Sequence, residues 1–425
     1  MTKFKRYDSY KNSGVEWLGE IPSHWEILKT KYVHKNIKFL NTNRICDNVL
    51  SLTLRGVVNN NIDNPEGLVP KDYATYQIFE KDDLVFKLID LENISTSRVG
   101  IVHEKGVMSS AYIRLKIGKT SIPKFAYYYY YSLYINNVYN NIGCGVRSTL
   151  NPTDLLNIKF PLPPKDEQEK IASYLDEKIA KIDTAISRKE KLIELLKEQK
   201  QIIINDAVTK GLNKNAKFKN SGVEWIGEVP QHWKFEKGKW LFKQIKRSVK
   251  QADKIITCFR DGQVTLRVNR RVDGFTNALK EHGYQGIRKG DLVIHNMDAF
   301  AGSIGISDSD GKATPVYSVC VPYNKNIVFS EYYAKYLRNL AMKDFLLSLA
   351  KGIRERSTDF RFKDFGELEF PLPPKDEQEK IVEYIETKIA KIDKLVNLEQ
   401  EYIKSLKEYK ASLIDSVVTG KVRII

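Results

Sequence analysis

Clusters of lysine and arginine residues are the feature of this sequence that most directly suggests a function, because such clusters bind anionic groups. The stretch Lys237–Lys254 reads KGKWLFKQIKRSVKQADK, and Arg267–Arg271 reads RVNRR. Lysine ammonium groups suit phosphate oxygens, and arginine guanidinium groups also reach guanine edges in the major groove. The chain has 69 Lys and Arg against 53 Asp and Glu, a formal net charge of +16. A surplus of that size predicts a polyanionic partner, either nucleic acid or an anionic membrane.

Ten basic residues are candidates for DNA contact on charge and position alone. Arg147 and Arg354 follow Gly-Val and Gly-Ile at matching places in the two halves of the chain. Their alternative role is conformational, at a turn, and the alternative for the others is an ordinary solvated surface charge. The candidates are Lys87, Arg98, Arg147, Lys246, Arg247, Arg267, Arg270, Arg271, Arg354 and Arg356.

Catalytic signatures are absent from the sequence. There is no GxxxxGK[ST] phosphate loop, no HExxH and no GxSxG elbow. The four cysteines form no CxxC, so neither a thiolate zinc site nor a disulfide framework is indicated. His24 and His232 each precede a tryptophan at repeated places, where a structural role is expected rather than a metal. The chain is predicted to bind no metal and to catalyse nothing; the alternative is a hidden nuclease or methyltransferase site.

The elements that must position the basic residues occur twice. KNSGVEWLGEIPSHW at Lys11–Trp25 returns as KNSGVEWIGEVPQHW at Lys219–Trp233, and FPLPPKDEQEKI at Phe160–Ile171 returns unchanged at Phe370–Ile381. A period above 200 residues is too long for a solenoid repeat, so it indicates a duplicated domain pair. The predicted division is residues 1–159 (first Trp-containing segment and variable domain), 160–211 (first long helix), 212–369 (second such segment and variable domain) and 370–425 (second long helix).

The two variable domains mix strand-like and helix-like stretches, which predicts an α+β fold. Runs of β-branched and aromatic residues between Gly and Asn turns predict strands. The expected strands are Asp83–Leu88, Gly100–Val102, Ala111–Leu115, Asp291–Ile294 and Val316–Val321, and the expected helices are Lys124–Tyr134 and Ser330–Ala350.

After each PLPP motif, apolar residues recur with a period of seven over about five heptads. Proline ends the preceding strand, and acidic residues in the next turn favour a helix that starts at Lys165 or Asp166. So long a period of seven predicts that the two helices pair as an antiparallel coiled coil, with the alternative that each packs on its own domain. The seam breaks at equivalent places, Lys189 with Glu399 and Lys200 with Lys410. The predicted interface consists of Leu175, Ile179, Ile182, Ile186, Ile193, Leu196, Ile203, Ile385, Ile389, Ile392, Val396, Ile403, Leu406 and Leu413.

The positive charge is concentrated in the variable domains. Residues 26–159 carry a net +5 and residues 234–369 a net +9, whereas residues 165–210 are neutral and 375–420 carry −2. A basic amphipathic membrane helix would show the opposite distribution, so nucleic acid is the preferred partner and no membrane partner is expected. No apolar run approaches about 18 residues and no secretory signal is present, which favours a cytoplasmic protein.

The repeated motifs resemble the specificity subunit of type I restriction–modification systems. The resemblance lies in SGVEWLGEIPxHW, in PLPP followed by EQEKI, in the long helix, and in the recurrence of all three after a second variable domain. It covers essentially the whole chain.

The resemblance implies that each variable domain recognises one half of a split, asymmetric DNA target. It further implies that the helix pair sets the spacer between the halves and docks two modification (methyltransferase) subunits, which restriction subunits then join. S-adenosylmethionine, Mg²⁺ and ATP would belong to those partners, with no cofactor in this chain. The alternatives are a stand-alone bipartite DNA-binding regulator and a scaffold whose basic domains bind RNA or acidic proteins.

Overall fold

The chain forms two compact units that each combine parts of both long helices with one variable domain. The computed structural model describes residues 5–61, 70–92, 96–142, 149–223, 226–270, 283–349 and 359–424. Unit 1 comprises Met1–Glu190 with Gln400–Ile425, and unit 2 comprises Lys191–Glu399. This division cuts each long helix, whereas the sequence-based division kept each helix whole.

Unit 1 is built on an antiparallel four-stranded sheet of order β4-β11-β8-β9, with the hairpin β5-β6 and the antiparallel pair β7-β10 as separate two-stranded sheets. A further pair, β3 with β12, joins the start of the domain to the strand before the long helix. Its elements are β1 Tyr10–Asn12, β2 Glu20–Pro22, β3 Glu26–Lys29, α1 Thr30–Val33, β4 Lys35–Asn36, β5 Leu50–Thr53, β6 Gly56–Asn59, β7 Gln77–Phe79, β8 Leu84–Phe86, β9 Val99–Ile101, β10 Gly106–Met108, β11 Ile113–Lys116, α2 Pro123–Ile135, α3 Val138–Ile142, α4 Pro152–Asn157, β12 Lys159–Leu162 and α5 Lys165–Lys210.

Unit 2 repeats that topology with a four-stranded sheet of order β16-β23-β20-β21 and the pairs β17-β18, β19-β22 and β15-β24. The duplicated domain pair is therefore confirmed strand by strand. Its elements are β13 Phe218–Asn220, β14 Glu228–Pro230, β15 Lys234–Lys237, α6 Gly238–Leu241, β16 Phe242–Gln244, β17 Ile256–Cys258, β18 Val264–Leu266, β19 Gln285–Ile287, β20 Leu292–His295, β21 Ile304–Ile306, β22 Gly311–Ala313, β23 Tyr317–Pro322, α7 Ser330–Met342, α8 Phe345–Ser348, α9 Phe362–Glu367, β24 Glu369–Leu372 and α10 Lys375–Val418.

The α+β prediction is confirmed, with one correction to a helix. The predicted strands correspond to β8, β9, β11, β20 and β23, and the first predicted helix is α2. The second, Ser330–Ala350, is wrong as one helix, because α7 ends at Met342 and α8 begins at Phe345. Asp344, between them, has φ 58°, a left-handed conformation that a continuous α-helix does not contain.

The repeated PLPPKDEQEKI motif joins each long helix to its variable domain through a buried glutamine. The Gln168 side chain donates to Pro163 O (2.8 Å) and to Thr120 O (3.1 Å), and its oxygen accepts from the Ile122 N–H (2.9 Å). Gln378 makes the same set of three contacts in unit 2. Because a buried amide left without partners is costly, each glutamine fixes the angle at which its helix leaves the domain.

The two Trp-containing segments, Lys11–Trp25 and Lys219–Trp233, bury their last tryptophan against the end of a long helix. In unit 2, Trp233 contacts Gly211, directly after α5; in unit 1, Trp25 lies against Gly420, directly after α10. Both glycines have φ above 70°, and a side chain at Gly420 would approach Pro22 to 2.3 Å. Each long helix therefore begins at one tryptophan-containing unit and its last residues complete the other.

The predicted heptad positions of the two long helices are shielded from solvent. Within unit 1 the first half of α5 packs with the second half of α10, and within unit 2 the second half of α5 packs with the first half of α10, so the pairing is antiparallel. Leu175 and Ile385 are completely buried, and the other predicted interface residues are buried or half-buried.

Two polar breaks in the seam form reciprocal ion pairs. The Lys200 Nζ lies 2.7 Å and 2.9 Å from the two carboxylate oxygens of Asp393, within unit 2. The Lys410 Nζ lies 2.7 Å and 2.8 Å from those of Asp183, within unit 1. The internal repeat relates one of these ion pairs to the other. Because a shift of either helix by one heptad would break both pairs, they specify the register of the helix pair. No described helix is both long and apolar enough to cross a bilayer.

Candidate nucleic-acid interface

An open cleft of about 750 Å³ lies in the variable domain of unit 2. Its floor is the strand β17, whose residues pack on a small core with Val264, Ile287 and Val319. Its walls carry Arg267 and Arg270, two of the predicted DNA contacts, which the fold thus brings together. The other polar side chains that line it are Thr257, Arg260, Asp261, His295, Asp298, Ser303, Thr314 and Tyr317.

The arginines of the cleft are held in defined positions. Arg260 donates to Asp298 (2.9 Å), and Arg270 donates to Asp261 (2.7 Å) while its guanidinium lies 4.2 Å above the ring of Phe259. The cleft therefore presents both fixed donors and fixed acceptors. Arginine donors match guanine O6 and N7, and carboxylates accept from cytosine N4, so this mixture suits base edges better than phosphate alone.

His295 contributes a neutral hydrogen-bonding group to the same cleft. Burial lowers its pKa below the usual value, against the opposing effect of Asp298. Its Nδ1 accepts the backbone N–H of Asp298 (3.0 Å), which places the proton of the neutral ring on Nε2 and makes that atom a donor. The ring is held edge to face against Tyr317, with centroids 4.6 Å apart.

Lys87, another predicted contact, occupies the place in unit 1 that His295 occupies in unit 2. The Lys87 N–H donates to Arg98 O and the His295 N–H to Ser303 O, each at the end of the same sheet strand and each at 3.0 Å. The backbone is shared but the side chains differ, which is expected where two copies of one fold recognise different sequences.

Two predicted contacts bind oxygen atoms of the variable domains themselves. Arg98 is only 1 % exposed and donates to Asp90 O (2.9 Å), so it is not available to DNA. Arg247 forms a bidentate pair with the buried carboxylate of Asp291, with one N–O distance of 3.0 Å. Asp83 binds Arg114 at the equivalent place in unit 1. A buried carboxylate requires such a partner, which the charge clusters of the sequence could not show.

The remaining predicted contacts divide into one surface residue and four that cannot be placed. Lys246 is exposed, two residues after the end of β16. Arg147, Arg271, Arg354 and Arg356 lie outside the described residues. Sequence reasoning missed Arg260 and His295, because isolated residues 35 positions apart give no local signal.

Histidines 24 and 232 each bind a carboxylate of the adjoining long helix. His24 Nε2 lies 2.9 Å from Glu167, and His232 Nε2 lies 2.8 Å from Glu377. Trp25 Nε1 donates to the same Glu167 (3.2 Å), and Tyr7 also donates to it. Across the described residues, no group of three or more His, Cys, Asp or Glu side chains is placed to hold a metal ion.

Comparison with known proteins relates the whole chain to one class. The family model "Type I restriction modification DNA specificity domain" matches residues 27–197 and 269–407, once in each repeat. The MjaX chain of Methanocaldococcus jannaschii, assigned to the type I specificity subunits, is 23 % identical over 100 % of this chain and 99 % of its own. The EcoBI specificity subunit of Escherichia coli is 22 % identical over 82 % of this chain and 75 % of its own.

Solved structures of the same class share the fold. A chain from a structural study of complex assembly and conformational transition of the type I R-M system superposes with a TM-score of 0.68 at 14 % identity, covering 94 % of this chain and 98 % of its own. The HsdS subunit of Thermoanaerobacter tengcongensis gives a TM-score of 0.51 at 14 % identity, over 95 % and 98 % of the two chains.

Proposed function

Since the chain belongs to the type I restriction–modification DNA specificity family, we propose that it recognises a split, asymmetric DNA target with one half-site for each unit. The helix pair sets the spacer between the half-sites. A rigid reader with two recognition domains requires two half-sites at a defined separation.

The observation that carries this proposal is the combination of one scaffold with two different surfaces. The four-stranded sheets have the same strand order in both units. At the end of equivalent strands, however, unit 1 presents Lys87 and unit 2 presents His295 within its cleft. Because hydrogen-bonding groups at base edges determine sequence preference, these differences support two unlike half-sites.

We further propose that the outer faces of the helix pair dock two modification (methyltransferase) subunits, with restriction subunits joining the assembly. Apolar side chains outside the seam support this docking, because they remain exposed although the helices are already paired. Those in unit 2 are Leu192, Leu195, Ile202, Leu395 and Leu398.

In this scheme the chain contributes sequence recognition and the partners contribute the chemistry. S-adenosylmethionine would be held by the modification subunits, and ATP and Mg²⁺ by the partners that translocate and cut DNA. The residues of this chain would bind DNA and position the partners, without taking part in methyl transfer or hydrolysis.

A methylation map of the source genome, with this gene intact and deleted, tests the proposal. Loss of methylation at one split, asymmetric motif on deletion is the expected result. An unchanged map, despite an expressed methyltransferase, would instead favour a stand-alone bipartite DNA-binding regulator. Co-purification separates the two functions a second time, since a regulator has no methyltransferase partner.

A further inference from the structure

Eight residues directly after the first strand of each variable domain repeat one pattern. Residues 31–38 read KYVHKNIK, and residues 239–246 read KWLFKQIK. Both stretches begin in a short helix, α1 or α6, and continue into an edge strand of the four-stranded sheet, β4 or β16. The backbone entering the two helices is the same, with φ −70° and ψ 143° at Lys29 and φ −70° and ψ 144° at Lys237.

Part of this pattern is explained by packing and part is not. Val33 and Leu241 are buried and must be apolar to fill the core. Tyr32 and Trp240, by contrast, are 70 % and 64 % exposed. Within its unit each ring lies beside the ammonium group of the preceding lysine, with the Lys31 Nζ 5.3 Å from the centroid of Tyr32 and the Lys239 Nζ 5.9 Å from that of Trp240. Most of the surface of each ring is nevertheless open to solvent at the same position in both copies, and is therefore available to a partner.

The lysines of the pattern are retained as well, and all of them except the half-buried Lys239 are exposed. We call the outward-facing residues the Lys-aromatic ridge: Lys31, Tyr32, Lys35 and Lys38 in unit 1, and Lys239, Trp240, Lys243 and Lys246 in unit 2. The residues at the proposed base-reading positions differ between the units, whereas the ridges agree. A surface common to both units is suited to a task that does not depend on the half-site sequence.

The charge of the ridge indicates its partner. In unit 1, Lys31, Lys35 and Lys38 have no acidic side chain within 4 Å among the residues that the structure describes. In unit 2, Lys239 is paired with Glu367 (2.6 Å), which leaves Lys243 and Lys246 as the outward charges. Each stretch of eight residues carries three lysines and no acid.

We propose that each Lys-aromatic ridge binds the sugar–phosphate backbone of duplex DNA irrespective of sequence. The lysines contact phosphates, and Tyr32 or Trp240 packs against the deoxyribose beside them. This inference rests on the proposed DNA-recognition function and adds to it a division of labour. Each ridge holds its unit on the duplex, and the residues that differ between the units choose the half-site.

A protein partner fits the ridge less well. Aromatic residues are enriched in protein–protein interfaces, but lysine is depleted from them. Three lysines and one exposed aromatic residue within eight residues, with no acid in the stretch, match a polyanion such as a DNA strand.

The test is the salt dependence of DNA binding by the full chain carrying Lys31→Gln, Lys35→Gln and Lys38→Gln. The probes are a duplex with the split target and one of equal length with both half-sites scrambled. If all three lysines contact phosphates, the slope of log K against log salt falls in magnitude by about 2.7. The affinity difference from wild type should then shrink about 40-fold between 50 and 200 mM salt, with the target-to-scrambled ratio unchanged.

The matched control removes three exposed lysines from α10, at Lys391, Lys394 and Lys404, each changed to Gln. The slope of log K against log salt for this control should equal that of wild type. If the slope fell equally in magnitude in both triple variants, the effect would come from net charge in general, and the proposal would be overturned. Trp240→Ala, compared with Trp240→Phe, tests the aromatic contact in the other unit. Here the Ala variant should bind both duplexes more weakly and the Phe variant should retain most of the affinity.

The remaining outcomes separate this proposal from the function on which it rests. An unchanged slope and affinity in a folded ridge variant, while wild type still prefers the split target, overturns the ridge alone. A reduced target-to-scrambled ratio would show that the ridge reads bases. Loss of a co-purifying methyltransferase with unchanged DNA binding would make the ridge a protein-docking surface. Failure of wild type to prefer any split target would overturn the recognition function itself.

Discussion

The buried side chain of His34, in unit 1, should make the stability of this protein depend on pH. A single substitution at this position should remove that dependence. His34 is 1 % exposed, and burial lowers its pKa from 6.5 to about 3. It occupies the place that Phe242 occupies in unit 2, as the residue that ends the short helix and enters the edge strand. The substitution His34→Phe therefore introduces a residue that the other copy of the fold already accommodates.

The magnitude follows from proton linkage. Below pH 6.5 the unfolded chain binds a proton at this histidine and the native chain does not, so stability is highest above pH 6.5 and is lost as the pH falls toward 3. At pH 5 the loss relative to pH 8 is about 2 kcal/mol. The Gly118 N–H donates to His34 Nδ1 at 3.3 Å, whereas the buried His34 Nε2 has no hydrogen-bond partner among the residues that the structure describes. The variant therefore loses one hydrogen bond and also loses one unpaired polar atom, and these two effects on stability oppose each other.

Urea denaturation of wild type and His34→Phe at pH 8 and at pH 5 measures the effect. On going from pH 8 to pH 5, the unit 1 transition of the variant should lose about 2 kcal/mol less unfolding free energy than that of wild type. The other titrating groups are the same in both proteins, so their contributions cancel when the two pH-dependent changes in unfolding free energy are subtracted. Phe242→His is the reciprocal control and should introduce the same pH dependence into unit 2. Equal losses in wild type and His34→Phe would refute the reasoning.

Three further outcomes test the recognition surface and the helix pair. Arg270→Ala should weaken binding about 5- to 150-fold through one half-site only, in a competition assay with each half-site scrambled in turn; equal weakening through both would remove Arg270 from base reading. Leu175 and Ile385 are fully buried, so Leu175→Ala and Ile385→Ala should each lower the free energy of unfolding by about 2–5 kcal/mol, as measured by urea denaturation. A loss below about 1 kcal/mol at either residue would argue against a packed seam there. One heptad inserted after both Glu190 and Glu399, where the helices pass from one unit to the other, lengthens the helix pair by about 10.5 Å. The preferred spacer should then lengthen by about 3 base pairs, which selection from a library of spacers measures. A change in the half-site sequences would contradict the proposal that the helix pair sets only the spacer.

Much of the architecture could be predicted because it leaves local or periodic traces. The repeated motifs, the period of seven and the runs of β-branched residues each depend on neighbouring side chains. The retained motif of residues 31–38 and 239–246 was equally available from the sequence, but its meaning depends on which side chains are exposed. Tyr32 and Val33 are adjacent in the sequence, and only the folded structure shows that the first is exposed and the second is buried.

Two copies of an α+β domain, two helices with matching seams, and an excess of positive charge outside those helices could all be predicted from the order of the residues. The tertiary structure decided what the charges do. Arg98 donates to a backbone oxygen of its own unit, Arg247 pairs with the buried carboxylate of Asp291, Arg270 faces an open cleft, and Lys200 reaches Asp393. The sequence does not distinguish a buried arginine from an exposed one. The residue that binds each of these charged side chains can also come from a distant part of the chain. Those contacts exist only once the chain has folded, which is why charge could be counted from the sequence but not assigned.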